Sequence, residues 1–117
     1  MHEASVTEQL IKTATLSAKE NNAIKVLSIR LVVGEATGYM EESLQFYFDT
    51  MSRDTILEGA KLSVETIKPK LKCESCGIEY ERKLFTFDCP KCGKPGVMTK
   101  IGMEFFIEDI EIETTEG

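Results

Sequence analysis

The first apolar pattern along the chain has helical spacing. Its members lie four residues apart, with one neighbour beside them: Val6, Leu10, Ala14, Ala18 and Ile11. Such a stripe predicts an amphipathic helix that buries one side. Residues 5–8 (Ser-Val-Thr-Glu) have the form of a capping box, so we expect the helix to start there. The pair Asn21-Asn22 is expected to end it.

A second helical pattern starts at Met40. Its apolar residues follow i, i+4, i+7, i+8 and i+11 spacing: Met40, Leu44, Tyr47, Phe48 and Met51. Glu41 and Glu42 favour the first turn, where the helix dipole stabilises negative charge. A Met and aromatic stripe of this kind is typical of a protein core rather than of a cofactor site.

Three stretches have strand patterns. Residues 24–33 alternate, with four apolar side chains expected on a buried face: Leu27, Ile29, Leu31 and Val33. Residues 62–68 form a second predicted strand, which Pro69 closes. Residues 101–113 form a third, with Met103, Phe105 and Ile107 on one face. There the phase then slips to Ile110 and Ile112, and a bulge near Glu108-Asp109 would keep all five on that face.

These elements predict an α+β fold, with two helices packed on one face of a three-stranded sheet and a four-cysteine zinc-ribbon module inserted. Residues 1–68 and 101–117 would form the helix–sheet domain, and residues 69–100 the ribbon. Because both connections to the ribbon are short, we expect limited hinge freedom there rather than two independent domains.

Composition narrows the class of protein. The 117 residues suit one domain with a small appendage, and no apolar run approaches the roughly 20 residues that span a membrane. No signal segment opens the chain, so we expect a reducing cytoplasm. The net charge of −6 is uneven, because residues 68–100 carry eight Lys/Arg and four Asp/Glu. This segment is only weakly basic, and the acidic remainder of the chain would repel phosphates. Nucleic-acid binding is therefore a weak alternative, and a protein partner is more compatible with these charges.

All four cysteines occur in two Cys-x-x-Cys pairs, Cys73/Cys76 and Cys89/Cys92, with twelve residues between the pairs. A two-residue gap lets both sulfurs of a pair reach one ion, and two pairs supply the four thiolates that tetrahedral Zn²⁺ prefers. Gly77 and Gly93 permit a left-handed backbone that turns amide N–H groups toward the sulfurs. Tyr80, Phe85 and Phe87 are expected to cover the metal.

The cysteine pattern leaves other interpretations open. An iron site of rubredoxin type uses the same ligands. Two disulfides would need an oxidising compartment, which nothing in the sequence suggests. A redox-active dithiol is disfavoured because each pair accounts for the other. Structural zinc would stabilise a small module and does not by itself indicate a function.

The start of the chain carries the other candidate metal site. His2 is the only histidine, and Met1 is expected to remain because histidine at position two hinders its removal. The amine of Met1, the amide and ring nitrogens of His2 and the amide of Glu3 can surround one ion in a plane, as Ni²⁺ or Cu²⁺ prefers. The alternative is a frayed terminus without a role.

The combination of these motifs resembles the HypA family of hydrogenase and urease nickel-incorporation proteins. The resemblance rests on Met1-His2-Glu3, on Gly34-Glu35, on the Leu-x-Phe-x-Phe segment of residues 44–48, on Gly59-Ala60, on the two cysteine pairs, and on Gly-Met-Glu at residues 102–104. It covers essentially the whole chain, although residues 35–38 (Glu-Ala-Thr-Gly) are less typical.

The resemblance implies a nickel metallochaperone with the fold predicted above. His2 would be the indispensable Ni(II) ligand, with the Met1 amine and the Glu3 amide beside it. Zn(II) would be structural, held by Cys73, Cys76, Cys89 and Cys92. The implied partners are a HypB-type GTPase and the large subunit of [NiFe]-hydrogenase, with urease accessory proteins for some members, and a homodimer is left open.

No nucleophile–base pair is apparent in the sequence, so we predict a binding and delivery protein rather than an enzyme. The class-level alternative is a zinc-ribbon adaptor for protein interactions whose single metal is structural and in which His2 is incidental.

Overall fold

The computed structural model of the protein describes residues 3–82 and 86–115. Its elements, in chain order, are α1 (Glu3–Glu20), β1 (Ala23–Gly34), a 3₁₀ turn (Glu35–Thr37), α2 (Glu41–Met51), β2 (Lys61–Ile67), β3 (Lys70–Lys72), β4 (Glu79–Glu81), β5 (Val97–Met98) and β6 (Phe105–Thr114). Two three-stranded sheets result, with the orders β2–β1–β6 and β4–β3–β5. The predicted α+β class with two helices is confirmed. No described helix is long and apolar enough to cross a membrane.

The chain divides into two compact units. One comprises Met1–Val32, Tyr39–Glu65 and Phe106–Gly117, and the other comprises Val33–Gly38 and Thr66–Phe105. The first contains both helices and most of the sheet β2–β1–β6. The second contains the cysteine pairs and the sheet β4–β3–β5. The domain boundaries predicted from the sequence stay a prediction.

Helix α1 buries the stripe that the sequence predicted, except at one position. Leu10, Ile11, Ala14 and Ala18 are buried, but Thr7 is buried where Val6 was expected, and Val6 is half-buried. The predicted start is also wrong. The helix already includes Glu3, so Ser5 lies inside it rather than at its cap. An acidic residue in the first turn stabilises this earlier start through the helix dipole.

The end of α1 follows from one backbone conformation. Asn22 has a φ of +62°, and asparagine tolerates this left-handed region better than most residues. The N–H groups of Asn21 and Asn22 donate to the carbonyls of Ala18 and Lys19, which closes the last turn. The predicted helix end at Asn21-Asn22 is confirmed.

Helix α2 buries Leu44 and Phe48 completely and packs against α1. Met40, which was expected in the apolar stripe, is the residue before the helix and is 59% exposed. Its extended backbone (φ −98°, ψ 133°) turns it out of the helical stripe. Glu41 and Glu42 occupy the first turn as predicted.

The central strand β1 departs from simple alternation. Val26, Ile29 and Leu31 are buried, whereas Leu27, expected on the buried face, is exposed. The phase therefore shifts between Val26 and Ile29. The Val26 N–H donates to the Ile56 carbonyl at 2.9 Å, and this contact with the loop before β2 accompanies the burial of Val26.

Strand β6 shows the predicted change of phase. Phe105, Ile107, Ile110 and Ile112 are half-buried, and the consecutive residues Glu108 and Asp109 are exposed between them. The predicted start at residue 101 is wrong, because the Met103 N–H donates to the Lys100 carbonyl and closes a turn in which Gly102 has a φ of +102°. Met103 lies in that turn and is exposed rather than on the buried face.

Candidate metal centres

The two Cys-x-x-Cys turns have the same backbone design. The Gly77 N–H donates to the Cys73 carbonyl at 2.7 Å, and the Gly93 N–H donates to the Cys89 carbonyl at 2.9 Å. Both glycines have a positive φ, +75° and +77°, which a side chain would strain. The left-handed conformation predicted for these glycines is confirmed.

Other amides point at the sulfurs. The Cys76 N–H donates to Cys73 Sγ at 3.3 Å, and the Lys91 N–H donates to Cys89 Sγ at 3.4 Å. The predicted turning of backbone amides toward the sulfurs is therefore confirmed, while the glycine amides themselves donate to carbonyls. Amide donors of this kind stabilise thiolates and orient them toward a metal.

The four sulfurs form one cluster. One ligand atom from each of Cys73, Cys76, Cys89 and Cys92 lies within 4.8 Å of the others, and the sulfurs of Cys73 and Cys92 are 3.5 Å apart. A tetrahedral zinc ion with Zn–S bonds of about 2.3 Å separates its sulfurs by about 3.8 Å. The donor set and spacing therefore fit one Zn²⁺, and the cluster is consistent with structural zinc.

The thiols of the cluster also differ in their pKa values. The Cys76 N–H at its sulfur is the main reason that the pKa of Cys73 is lowered to about 7. Contact with the Cys92 sulfur, followed by burial, raises the pKa of Cys76 to about 12. Four thiolates in so small a volume repel one another, and a bound dication supplies the positive charge that lets all of them ionise.

A small apolar cluster surrounds the inner sulfurs. Leu71 and Tyr80 are buried with Cys73 and Cys89, and Leu71 lies opposite Tyr80 in the β3–β4 pairing. The Tyr80 hydroxyl donates to the Phe87 carbonyl, and burial is the main reason that the pKa of Tyr80 is raised. Tyr80 therefore covers the site as predicted. Leu71 was missed, although its place between two lysines is a strand signal.

The phenylalanines differ from the prediction. The Phe87 ring is 42% exposed, and the Arg82 guanidinium lies 4.3 Å from its centroid, so this ring does not belong to the buried cluster. Phe85 lies outside the described residues.

The described part of the predicted nickel site is Glu3. Met1 and His2 lie outside the described residues. Glu3 is the first residue of α1, and its carboxylate oxygen Oε2 accepts a hydrogen bond from the Met40 N–H at 3.2 Å. This contact ties the start of α1 to the residue that precedes α2. Sequence reasoning assigned a role to the Glu3 amide but missed this role of its carboxylate.

The described residues bring the four cysteines of the sequence together in one cluster. Within residues 3–82 and 86–115, the cysteine cluster is the only group of three or more His, Cys, Asp or Glu ligands that could hold a metal ion.

The chain is similar to proteins of one known family. The family model described as hydrogenase/urease nickel incorporation, metallochaperone, hypA matches residues 1–112. A hydrogenase maturation factor HypA from Caldanaerobacter subterraneus is 44% identical over 97% of the chain and 100% of that protein. One from Dehalococcoides mccartyi is 40% identical over 97% of the chain and 95% of that protein.

Two solved structures are also similar. A structure named as the solution structure of HypA protein has a TM-score of 0.71 and 27% identity, covering 97% of each chain. The nickel metallochaperone HypA of Helicobacter pylori has a TM-score of 0.66 and 24% identity over 97% of this chain and 99% of that one, which supports the fold. With the family model matched over 112 residues and relatives above 30% identity, the chain belongs to the HypA family of nickel-incorporation metallochaperones, which are maturation factors rather than enzymes.

Proposed function

We propose that this protein binds Ni(II) at its N-terminus and delivers it during maturation of [NiFe]-hydrogenase. The ligands are the Met1 amine, the amide and imidazole of His2, and the Glu3 amide. The single observation that carries this proposal is the family match over residues 1–112, because that span includes the Met-His-Glu start. Zinc is structural and bound by the four-cysteine cluster.

The position of Glu3 supports the role of its amide. The first four N–H groups of a helix have no carbonyl partner within the helix, and Glu3 is the first residue of α1. Loss of the Glu3 amide proton would therefore break no hydrogen bond of the helical i→i−4 series. Loss of the amide protons would also offset the unfavourable effect of the helix dipole on a cation.

The carboxylate of Glu3 has a separate part in this proposal. Its bond to the Met40 N–H holds the start of α1 next to the first turn of α2, where Glu41 and Glu42 follow. These carboxylates lower the electrostatic cost of a cation between two helix N-termini. We therefore assign Glu3 two functions, ligation by its amide and positioning by its side chain.

A chelate at the N-terminus suits transient cargo. A site at the end of the chain can be approached by a second protein from several directions, whereas a closed cage must open first. We propose a HypB-type GTPase and the hydrogenase large subunit as partners in the cytoplasm, with urease as a further destination. Residues 1–68 and 101–117 would act as the nickel-binding domain, and residues 69–100 as the zinc module.

Nickel titration of zinc-loaded protein with a native N-terminus tests the proposal. His2→Ala is expected to abolish tight nickel binding while zinc content and thermal stability stay nearly unchanged. Ser5→Ala, an exposed position in α1, is the matched control and should bind nickel normally. Unchanged nickel affinity in His2→Ala would overturn the site and favour the zinc-ribbon adaptor, in which the only metal is structural.

A further inference from the structure

The strand β6 forms an open edge of the sheet β2–β1–β6. One of its sides pairs with β1, and no strand within the described residues pairs with the other. A strand edge of ten residues presents a row of backbone donors and acceptors that can pair with another extended chain.

A groove of about 500 Å³ lies between α1 and this strand. The strand contributes the half-buried side chains of Ile107, Ile110 and Ile112 to its wall, together with the exposed carboxylates of Glu108 and Asp109. The size lies within the range of clefts that bind ligands. Apolar side chains in the groove and a free backbone edge beside it are the two features that an added strand uses, one for its side chains and one for its main chain.

The opposite wall comes from the side of α1 that follows its buried stripe. Thr13, Ser17 and Asn21 line it at four-residue spacing. Leu16, one turn from Thr13, is 65% exposed and adds an apolar surface at the helix rim. The helix thus forms a wall of mixed polar and apolar character. Such a wall can contact ligand side chains of different shapes.

The charges around the groove select the occupant. Strand β6 carries four acidic residues and no basic ones: Glu108, Asp109, Glu111 and Glu113. On α1, helical geometry of about 100° per residue places Glu20 beside Ser17, and places Lys12 and Lys19 on the far side of the helix. Arg30 pairs with Glu108 at 3.2 Å and Asp109 at 3.8 Å, which leaves the edge acidic.

This acidity disfavours a second copy of the chain. If two β6 edges paired, each would place its carboxylates against those of the other, and like charges across a strand pair are destabilising. A segment with basic side chains would instead be attracted to the carboxylates that repel a second copy. The same charges that keep the edges of two copies apart therefore favour a basic partner.

We propose that the free edge of β6 and the groove beside α1 bind an extended segment of a partner protein in which apolar residues alternate with Lys or Arg. The segment adds to the sheet as a fourth strand. Its apolar side chains enter the groove beside the three isoleucines, and its basic side chains lie on the outer face near Glu111 and Glu113. The surface is separate from the nickel site and does not depend on it.

The test uses the full zinc-loaded protein and a labelled, end-blocked decapeptide in which valine alternates with lysine. The control peptide has glutamate in place of lysine. We expect the lysine peptide to bind with one-to-one stoichiometry and to slow amide hydrogen exchange in β6, and the glutamate peptide to do neither. A peptide that binds without protecting β6 would overturn the proposal, as would a protein that dimerises through β6.

Protein variants separate the groove from general charge attraction. Glu20→Lys should weaken binding of the lysine peptide about fivefold or more, from lost cross-groove attraction. Glu8→Lys makes the same charge change on the far side of α1 and should bind the peptide like the unaltered protein. Equal weakening in the two variants would show nonspecific attraction and overturn the site.

A second pair of variants tests the volume of the groove. Ser17→Phe places a ring in it and should block the peptide, whereas Ser5→Phe, at an exposed position two turns or more away, should not. Zinc content and circular dichroism verify that each variant is folded. Full binding by folded Ser17→Phe would contradict the proposal even if the charge variants behaved as expected.

Discussion

The cysteine cluster and the proposed nickel site at the start of α1 differ in the way in which each would hold a metal. In the cluster, four side chains converge from two turns, and backbone hydrogen bonds at Gly77 and Gly93 hold each turn. At the start of α1, the proposed ligands are mostly backbone nitrogens at one end of a helix. The first arrangement makes the metal part of the fold, and the second allows it to leave. The structural zinc and the proposed nickel cargo would therefore differ in the number of structural elements that each site joins.

The largest expected effect comes from removing a zinc ligand. Cys76→Ala should lose zinc and disorder residues 73–92, because structural zinc contributes on the order of 10–16 kcal/mol to a small module. The helices should keep their circular dichroism. Ser75→Ala, at an exposed neighbouring position, is the matched control and should keep zinc.

Elemental analysis and zinc-edge spectroscopy measure this outcome, and the unaltered protein should be colourless. A red protein would indicate an iron–thiolate site. Stoichiometric zinc and an ordered module in Cys76→Ala would show that the cluster is not a structural site and would break the comparison.

Acetylation of the Met1 amine should have the next largest effect, and on the other metal only. It removes the lone pair of one ligand without changing a side chain. We expect acetylated protein to fold, retain zinc and lose most of its nickel affinity in a titration near neutral pH. Equal nickel affinity of native and acetylated protein would place the nickel elsewhere.

The two metals should also differ in their response to acid. Protons compete with a metal for every ligand, and the nickel ligands include an amine, an imidazole and amides that must all lose protons. Zinc is held by four clustered thiolates whose binding is coupled to the folding of the module, so its ligation should survive to lower pH. Titration from neutral pH downward should release nickel before zinc, as followed by a metallochromic dye. Release in the opposite order would contradict the assignment of cargo and resident metal.

The smallest expected effect concerns the Glu3 side chain. Glu3→Gln keeps the amide ligand but replaces a charge-assisted hydrogen bond to Met40 by a neutral one, which should cost about 1 kcal/mol or less. We expect nickel affinity to fall a few fold and zinc to stay bound. Glu8→Gln, on the far side of α1, is the control. Loss of nickel as complete as in His2→Ala would instead make the carboxylate a ligand.

Local patterns in the sequence determined several features because each depends on neighbouring residues. The spacing of Cys73, Cys76, Cys89 and Cys92 predicted their cluster, since a two-residue gap brings two sulfurs to one point. The double asparagine predicted the end of α1 through its tolerance of a positive φ. The slip of phase in the last strand was visible as two consecutive acidic residues between apolar ones.

Only the tertiary structure decided the features that depend on distant partners. The place of β6 beside β1, the outward position of Leu27 and the exposure of Phe87 follow from pairing and packing across the chain. The same holds for the contact of Glu3 with Met40 and for the groove between α1 and β6. Spacing along the chain describes which side of an element a residue occupies, but which neighbour covers that side depends on contacts between residues far apart in sequence.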